Sequence, residues 1–305
     1  MKILQEWVTT YLEYCRWQKG LNGKTVKAYR LDLAQFLRFM GDADLDRRSL
    51  NSFIVWLHEN YKPKSIKRKL ASVKAFCTYL EYEELIDENP FDKMRIKLNE
   101  PHTLPRTIPL AEIERILSAV YARMGQPDLT EHQRRFVLRD AAVIELLFAT
   151  GIRVSELCSL KALDVNLTEG IIQIYGKGAR ERVIQIGNAE VLKALRSYHT
   201  DFAEEIAEAG HFFLNRCGRR LSEQSVRIMI KHYATLADAR VHVTPHMFRH
   251  SFATYLLEED VDIRCIQALL GHSSIVTTQI YTHVASKKQR DILAQKHPRN
   301  KILLQ

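Results

Sequence analysis

Six side chains in the second half of the sequence share two properties: each is chemically reactive, and each stands in a distinctive local sequence. They are Arg153, Lys177, His246, Arg249, His272 and Tyr281. Two arginines can hold the non-bridging oxygens of a phosphodiester through bidentate hydrogen bonds and so offset the charge that develops there. The set therefore suits phosphoryl transfer to a protein nucleophile without a metal ion.

The other members of this set match the proton transfers that such a reaction needs. The hydroxyl of Tyr281 is a weak nucleophile at neutral pH unless a base accepts its proton, because the ordinary pKa of tyrosine is about 10. A histidine can accept that proton, and a lysine in a hairpin turn can donate one to the leaving oxygen. Taken singly, Arg153 could be a structural partner of Glu156, and Tyr281 could simply pack on a helix. The functional interpretation depends on the whole set.

A zinc site is the other chemistry that the histidines suggest. His246 and His250 have the spacing of a zinc-binding helix, but the metalloprotease motif requires Glu directly after the first histidine, where this sequence has Met247. We therefore predict no metal and no other cofactor.

Helix-ending and helix-capping residues predict where these side chains lie. Gly151 can end one helix and Ser155 can cap the next, which places Arg153 at a helix junction. The turn of a hairpin formed by residues 171–175 and 183–186 would carry Lys177.

The second group of reactive residues follows two further helix signals. Thr244 and Pro245 can begin a helix on which His246 and Arg249 share one face. Gly271 can close a helix that covers residues 263–270. His272 then lies just beyond its end, and a further helix, capped by a serine at 273 or 274, carries Tyr281.

The size and charge of the chain are compatible with a protein that acts on a polyanion. Its 305 residues suggest two domains, at about 100–200 residues per domain. Lysine and arginine number 45 against 36 acidic residues, for a net charge of +9. This balance favours a polyanionic partner, although a basic protein without one remains an equal alternative.

The first part of the sequence predicts a helical domain with a basic surface. The clearest helix covers residues 64–83, where an apolar stripe predicts a buried face: Ile66, Leu70, Val73, Cys77 and Leu80. The basic residues near its start lie off this stripe and predict a phosphate-contacting outer face, with a solvated charged face as the alternative. They are Lys62, Lys64, Lys67, Arg68, Lys69 and Lys74.

Proline content and loop signals divide the rest of the chain. We predict a helical DNA-binding domain over residues 1–100, a proline-rich linker over 101–109 and a catalytic domain over 110–305. Gly125, Pro127 and Thr130 indicate a lengthened loop within residues 121–139.

The cysteines and the hydropathy pattern predict a cytoplasmic protein. Five widely spaced cysteines form no C-x-x-C pair, which fits a reducing compartment. The sequence shows no signal-peptide pattern and no apolar stretch near the ~20 residues of a membrane span.

Four short strings resemble the signature boxes of the tyrosine recombinase family, which includes the phage integrases and Xer-like proteins. They are ATGIRVSEL at 149–157, HMFRHSFAT at 246–254, LLGHS at 269–273 and QIYTHV at 279–284, and they occur in family order. Residues 25–39 and 65–90 are similar to the family's helical core-binding domain. The resemblance therefore covers most of the chain.

This resemblance implies a role for each matching residue. Arg153 and Arg249 resemble the phosphate-binding arginines, with Glu156 as the acidic residue that supports the first. Lys177 resembles the lysine of the family's β-hairpin, which acts as the general acid. His246 and His272 match its two histidine positions, and Tyr281 matches the nucleophile.

The implied fold is mainly α with a small β-sheet, arranged as a two-domain C-shaped clamp around double-stranded DNA. The implied reaction forms a 3′-phosphotyrosyl link and a free 5′ hydroxyl, needs neither ATP nor metal, and exchanges strands between two sites through a Holliday junction. The implied partners are DNA with short inverted-repeat sites and three further copies of the chain in a synaptic tetramer, with no membrane. Residues 299–305 would contact a neighbouring subunit, with a frayed terminus as the alternative.

Two alternatives to recombination remain open at this stage. A topoisomerase-like nicking and closing enzyme would use identical chemistry, and a non-catalytic DNA-binding regulator would keep the basic surface. Integration or excision of a mobile element, inversion and chromosome-dimer resolution all share one active site, so the sequence does not distinguish them.

Overall fold

The computed structural model describes residues 2–92, 94–96, 106–175 and 181–271. The chain divides into two compact units, Met1–His102 and Thr103–Gln305. The described residues are mostly helical with one three-stranded sheet, so the prediction of a mainly α protein with a small β-sheet is confirmed. No helix within these ranges combines the length and apolarity that a membrane span requires.

Helices make up the regular structure of the first unit in its described residues. They are α1 (Lys2–Trp17), α2 (Gly23–Met40), α3 (Arg47–Asn60) and α4 (Pro63–Tyr82). Asn22 and Asp46 cap α2 and α3, because their side-chain oxygens accept hydrogen bonds from the backbone N–H groups of Thr25 and Ser49. This region is helical, as the sequence predicted.

Helix α4 is the helix predicted over 64–83, and its apolar stripe is buried as predicted. The helix packs against α1, α2 and α3, so its buried face is wider than the stripe and also includes Ser72 and Phe76. Most of the predicted basic residues are exposed along or just before this helix. They are Lys62, Lys64, Lys67, Arg68 and Lys74.

Lys69 corrects the prediction of an outward basic face, because this residue is 7% exposed. It lies three residues after Ile66 and four before Val73, which places it on the buried face. Its Nζ donates to Gln35 and, at 3.4 Å, to Asp32 Oδ1, and it lies 4.6 Å from the centroid of the Tyr61 ring. A buried ammonium is stable here because an acid and an aromatic face surround it.

Asp32 is the centre of this buried polar network between α2 and α4. The residue is 1% exposed. Its Oδ2 accepts hydrogen bonds from Arg68 and, at 2.8 Å, from the Ser72 hydroxyl, while its Oδ1 faces Lys69. One carboxylate thus satisfies three donors of α4 and fixes how α2 and α4 pack.

The second unit contains helices and a small sheet in its described residues. The helices are α5 (Leu110–Met124), α6 (Glu131–Thr150), α7 (Val154–Ser159), α8 (Ala189–Asp201), α9 (Ala203–Ala209), α10 (Glu223–Leu236), α11 (Pro245–Glu258) and α12 (Ile263–Leu270). Helix α6 is central, since residues 141–147 are all buried and α5, α8 and α11 pack around it.

The sheet is antiparallel and contains the predicted hairpin. Its strands are β1 (Val165–Asn166), β2 (Ile171–Tyr175) and β3 (Glu181–Gln185), in the order β1-β2-β3. Ile174 pairs with Arg182, next to the end of the hairpin at which the two strands are connected. The connecting residues 176–180, which include Lys177, lie outside the described residues.

A loop lies within residues 121–139 where Gly125, Pro127 and Thr130 indicated one, and the rest of this range is helix. Helix α5 continues to Met124, and α6 begins at Glu131. The Thr130 hydroxyl accepts from the Gln133 N–H at 3.2 Å, and the Gln133 side chain accepts from the Thr130 N–H at 2.9 Å. This capping box starts α6 early, so only residues 125–130 connect the two helices.

We predict that Asp32→Ala lowers the free energy of unfolding of the first unit by about 3 to 5 kcal/mol, because it leaves Lys69 buried without its anion. Asp44→Ala is the matched control: Asp44 is an exposed aspartate of the same unit, and its loss should change stability by under about 0.5 kcal/mol. Urea unfolding of the full-length protein, followed by circular dichroism, measures both. Equal stability of the two variants would contradict the role of Asp32.

Candidate active site

Arg153 lies at the corner between α6 and α7. Gly151 ends α6 in the left-handed region at φ 58° and ψ 22°, as the sequence predicted. The expected cap at Ser155 is wrong, because α7 begins at Val154 and Arg153 occupies the N-cap position. Glu156 performs the capping: its Oε2 accepts from the Arg153 backbone N–H at 3.1 Å. An anionic side chain in the first turn of a helix is favoured by the helix dipole.

The corner is in direct contact with α11 and α12. A Cβ added at Gly151 would lie 2.7 Å from Phe252 Cδ1 and 3.0 Å from Leu270 Cδ2. The absence of a side chain at Gly151 therefore lets the three helices approach. Arg153 is held close to the residues that α11 and α12 supply.

The carboxylate of Glu156 joins two arginines. Oε1 accepts from Arg153 Nη1 at 2.7 Å and from Arg182 Nη1 at 3.2 Å, and Oε2 accepts from Arg182 Nη2 at 2.7 Å. Burial alone would raise the pKa of Glu156, but the hydrogen bonds and charges of Arg182 and Arg153 lower it below the usual glutamate value. Glu156 is therefore an anion at neutral pH.

Arg182 is part of this cluster, and the sequence interpretation missed it. Its Nε donates to the Leu269 carbonyl at 3.0 Å. A Cβ on Gly271 would lie 2.9 Å from Arg182 Nη1, so the guanidinium also rests against the end of α12. A signal was present in the sequence: Arg182 alternates with Ile184 and Ile186 on the inward face of the strand.

Arg249 enters the same region from α11. Pro245 is the first residue of this helix and Thr244 caps it, as predicted. Arg249 is 4% exposed. Its Nη1 donates to the Gly151 carbonyl at 2.7 Å, and its Nη2 donates to the Leu270 carbonyl at 2.8 Å. Arg249 thus connects the C-terminal ends of α6 and α12.

The end of α12 receives all three guanidinium groups. In addition to the bonds from Arg182 and Arg249, Arg153 makes long contacts of 3.5 Å to the Leu270 carbonyl and 3.4 Å to the Gly271 carbonyl. The last carbonyls of a helix lack partners within the helix and carry its negative dipole end, so they favour cations. The carbonyls at the end of α12 and the carboxylate of Glu156 together offset the repulsion between the three arginines.

His246 lies on α11, three residues before Arg249, and is exposed. Desolvation of its ring and the positive charges of Arg249, Arg227 and Arg153 lower its pKa below the usual histidine value. The lowered pKa favours the neutral imidazole at neutral pH, which can accept a proton. His250 has a lowered pKa as well, through burial and the charges of His246 and Arg249.

The remaining predicted site residues lie outside the described residues. They are Lys177, His272 and Tyr281, together with the helix expected around Tyr281 and the tail at residues 299–305. In the sequence, Lys177 is two residues after the end of β2, and His272 directly follows Gly271. The structure therefore brings together Arg153, Glu156, Arg249 and, by its electrostatics, His246. In the part of the chain that is described, no cluster of acidic, histidine and cysteine side chains could hold a metal ion.

Both units match known protein families. Residues 108–288 match the phage integrase family, and residues 8–84 match the N-terminal SAM-like domain of phage integrases. A tyrosine recombinase of Agathobacter rectalis is 54% identical, over 98% of this chain and 98% of its own. Tyrosine recombinase XerD of Halalkalibacterium halodurans is 34% identical, over 95% of this chain and 96% of its own. The chain belongs to the phage integrase family of tyrosine recombinases.

Solved structures share its fold. XerH recombinase bound to a palindromic difH substrate, in a post-cleavage complex, is 21% identical with a TM-score of 0.75, and the match covers 93% of this chain and 83% of XerH. A lambda integrase tetramer bound to a Holliday junction is 18% identical with a TM-score of 0.69, and the match covers 91% of this chain and 76% of the integrase chain.

We predict that Gly151→Ala destabilises the second unit by about 2 to 4 kcal/mol, because it adds left-handed strain and a collision with Phe252. Gly125→Ala is the control, since Gly125 has φ −80° and an added Cβ would lie 3.7 Å from the Ala122 carbonyl oxygen, an ordinary contact. Thermal unfolding monitored by calorimetry compares the two variants. If the Gly151→Ala protein unfolds at the same temperature as the wild type, the corner is loosely packed.

Proposed function

We propose that this chain is a site-specific DNA recombinase in which the Tyr281 hydroxyl attacks a phosphodiester of the target strand. The observation that carries the proposal is the convergence of Arg153 and Arg249 on the end of α12, immediately before His272 in the sequence. The family membership of the chain supports it. A phosphate placed over this cluster would meet fixed positive charge in a setting partly shielded from water.

Arg153 is the group best placed to contact that phosphate. Its side chain is 34% exposed, whereas that of Arg182 is 10% exposed and Arg249 is turned toward backbone carbonyls. Glu156 holds the Arg153 guanidinium at one edge, so the other edge can donate to phosphate oxygens. Arg249 adds charge from the opposite side and fixes the corner that carries Arg153.

The reaction is a transesterification. The Tyr281 oxygen bonds to phosphorus, the phosphorus–O5′ bond breaks, and a 3′-phosphotyrosyl link and a free 5′ hydroxyl result. His246 or His272 accepts the tyrosine proton, and Lys177 donates a proton to the departing 5′ oxygen. The lowered pKa of His246 supports its assignment as a base. Attack by a 5′ hydroxyl from the partner strand reverses these steps and rejoins the DNA, so no ATP is consumed.

In this proposal, the first unit binds the DNA duplex without regard to its sequence. Residues 1–100 form the core-binding domain, residues 101–109 the linker and residues 110–305 the catalytic domain. The exposed basic residues of α4 and its N-terminal approach contact backbone phosphates; they are Lys62, Lys64, Lys67, Arg68 and Lys74. Lys69 is excluded from this set because its ammonium is buried on Asp32 and Gln35.

Exchange between two DNA sites requires several protomers. Because the lambda integrase of similar fold is a tetramer on a Holliday junction, we propose the same assembly here, on short inverted-repeat sites. The five cysteines, all within the described residues, form no disulfide, which supports the reducing cytoplasm as the compartment.

A plasmid assay distinguishes recombination from its two alternatives. Supercoiled plasmid carrying one or two copies of the binding site, selected from a random DNA pool, is incubated with the protein. We expect recombinant circles from the two-site plasmid with the wild type and none with Tyr281→Phe. Relaxation without recombinants would indicate a nicking and closing enzyme, and binding without either product would indicate a regulator.

Cleavage should continue when metal ions are removed. Arg153, Arg249 and Lys177 supply the charge that a magnesium ion would otherwise provide. We expect the rate of covalent adduct formation in excess EDTA to equal the rate in magnesium within about twofold, as measured on denaturing gels. A strict requirement for a divalent ion would contradict the proposed site.

Arg153 and Lys67 should fail in different ways. Arg153→Ala should slow cleavage by roughly 100-fold or more and change DNA affinity little, because its contact strengthens in the transition state. Lys67→Ala should weaken binding to all sequences and reduce the salt slope by about one unit. Lys69→Met is the comparison for Lys67, measured on protein that circular dichroism shows to be folded: its ammonium is buried, so its loss should leave the salt slope unchanged. Equal effects of Arg153→Ala and Lys67→Ala on the cleavage rate at saturating protein would refute this division.

A further inference from the structure

Arg182 is a cation whose contacts are with the protein itself. It belongs to a cluster in which a second cation, Arg153, has to stay accessible to a phosphate. All three nitrogens of the Arg182 guanidinium have acceptors: Nε donates to the Leu269 carbonyl, and Nη1 and Nη2 donate to Glu156. Its side chain is only 10% exposed. Arg182 therefore faces the protein interior, and any effect on bound phosphate must pass through its neighbours.

Glu156 is the neighbour through which that effect passes. The carboxylate is shared: Arg153 uses one nitrogen at 2.7 Å, while Arg182 uses two, at 2.7 and 3.2 Å. Two cations and one anion leave this group with a net positive charge of one unit. Without Arg182, the charges of Arg153 and Glu156 would cancel.

The geometry of Arg153 would also change if Arg182 were absent. Glu156 Oε2 now accepts from Arg182 and from the Arg153 backbone N–H. Loss of Arg182 would leave the carboxylate with a single guanidinium partner, and arginine and carboxylate prefer a paired, two-bond arrangement. The outer edge of Arg153, which has only a 3.4 Å contact to the Gly271 carbonyl, would then turn toward Glu156.

We propose that Arg182 is a positioning residue that takes up the charge of Glu156, so that the positive charge of Arg153 is not offset and its guanidinium stays directed toward the scissile phosphate. The inference rests on the proposed recombinase function and assigns Arg182 a part in it. Its position is suited to this task, because β3 carries it next to the end of the hairpin at which residues 176–180, with Lys177 among them, connect the two strands in sequence. Arg182 also contacts the end of α12, so one side chain connects three parts of the site.

The proposal predicts that removal of Glu156 rescues the loss of Arg182. Single-turnover adduct formation is measured at saturating protein on a nicked duplex that traps the intermediate. Arg182→Met should slow it by roughly 100-fold, Glu156→Gln by roughly 10-fold, and the double variant by roughly 10-fold rather than 1,000-fold. DNA affinity should stay within about twofold of the wild type in each case.

Two further variants distinguish an effect of the Arg182 charge from a general structural effect of losing an arginine side chain. Arg182→Lys keeps the positive charge but loses the paired hydrogen bonds of the guanidinium, so it should slow adduct formation less than Arg182→Met does. Arg196→Met is the control: Arg196, like Arg182, donates to a backbone carbonyl, in this case twice to that of Leu167, but it has no bond to Glu156, and its loss should leave the rate unchanged. A double variant about 1,000-fold slow, or Arg182→Met at the wild-type rate, would overturn the proposal. If Arg182→Met fails to fold, the Lys variant and the double variant still decide between rescue and additivity.

A binding readout separates this inference from the proposed reaction. In the Tyr281→Phe background, the rise in melting temperature with inorganic phosphate is compared across the same variants, with Arg153→Ala as the reference for specific binding. We expect phosphate stabilisation to fall with Arg182→Met and to return in the double variant. That pattern without any wild-type cleavage would refute the reaction alone, whereas cleavage without the pattern would refute the role of Arg182.

Discussion

The shared carboxylate of Glu156 is the interaction on which the rest of the site depends. It caps α7, neutralises Arg182 and orients Arg153 while being almost fully buried. A buried anion is stable only when its partners satisfy it, and loss of one partner typically costs about 3 to 5 kcal/mol. The same bonds that stabilise the corner therefore also place the guanidinium of Arg153, the proposed phosphate ligand.

The C-terminal ends of two helices also hold the arginine cluster together. Helices α6 and α12 both end at glycines in the left-handed region, and their terminal carbonyls accept from arginines that come from elsewhere in the chain. Helix termini are suited to this because their carbonyls would otherwise lack partners. Segments more than one hundred residues apart meet at one point, so the proposed phosphate site depends on the folding of the second unit.

The sequence predicted the local parts of this arrangement better than its long-range contacts. Gly151 and Gly271 end their helices as expected, because left-handed backbone favours glycine wherever it occurs. Ser155 failed as a cap, since an anion three residues after the N-cap position competed successfully. Lys69 was misplaced because its burial depends on an acid on another helix. Arg182 was missed because its partners, at the α7 start and the α12 end, are distant in sequence.

In the proposed reaction, a tyrosine takes the DNA strand into a covalent link beside this arginine cluster. The most direct test of this reaction is to trap the adduct on a nicked duplex, digest the protein and DNA, and locate the attached nucleotide by mass spectrometry. We predict a nucleotide linked through its 3′ phosphate to Tyr281, and a released strand whose 5′ end is a hydroxyl that accepts a label without prior phosphatase treatment. Attachment to any other residue, or a 5′ phosphate on the released strand, would contradict the account.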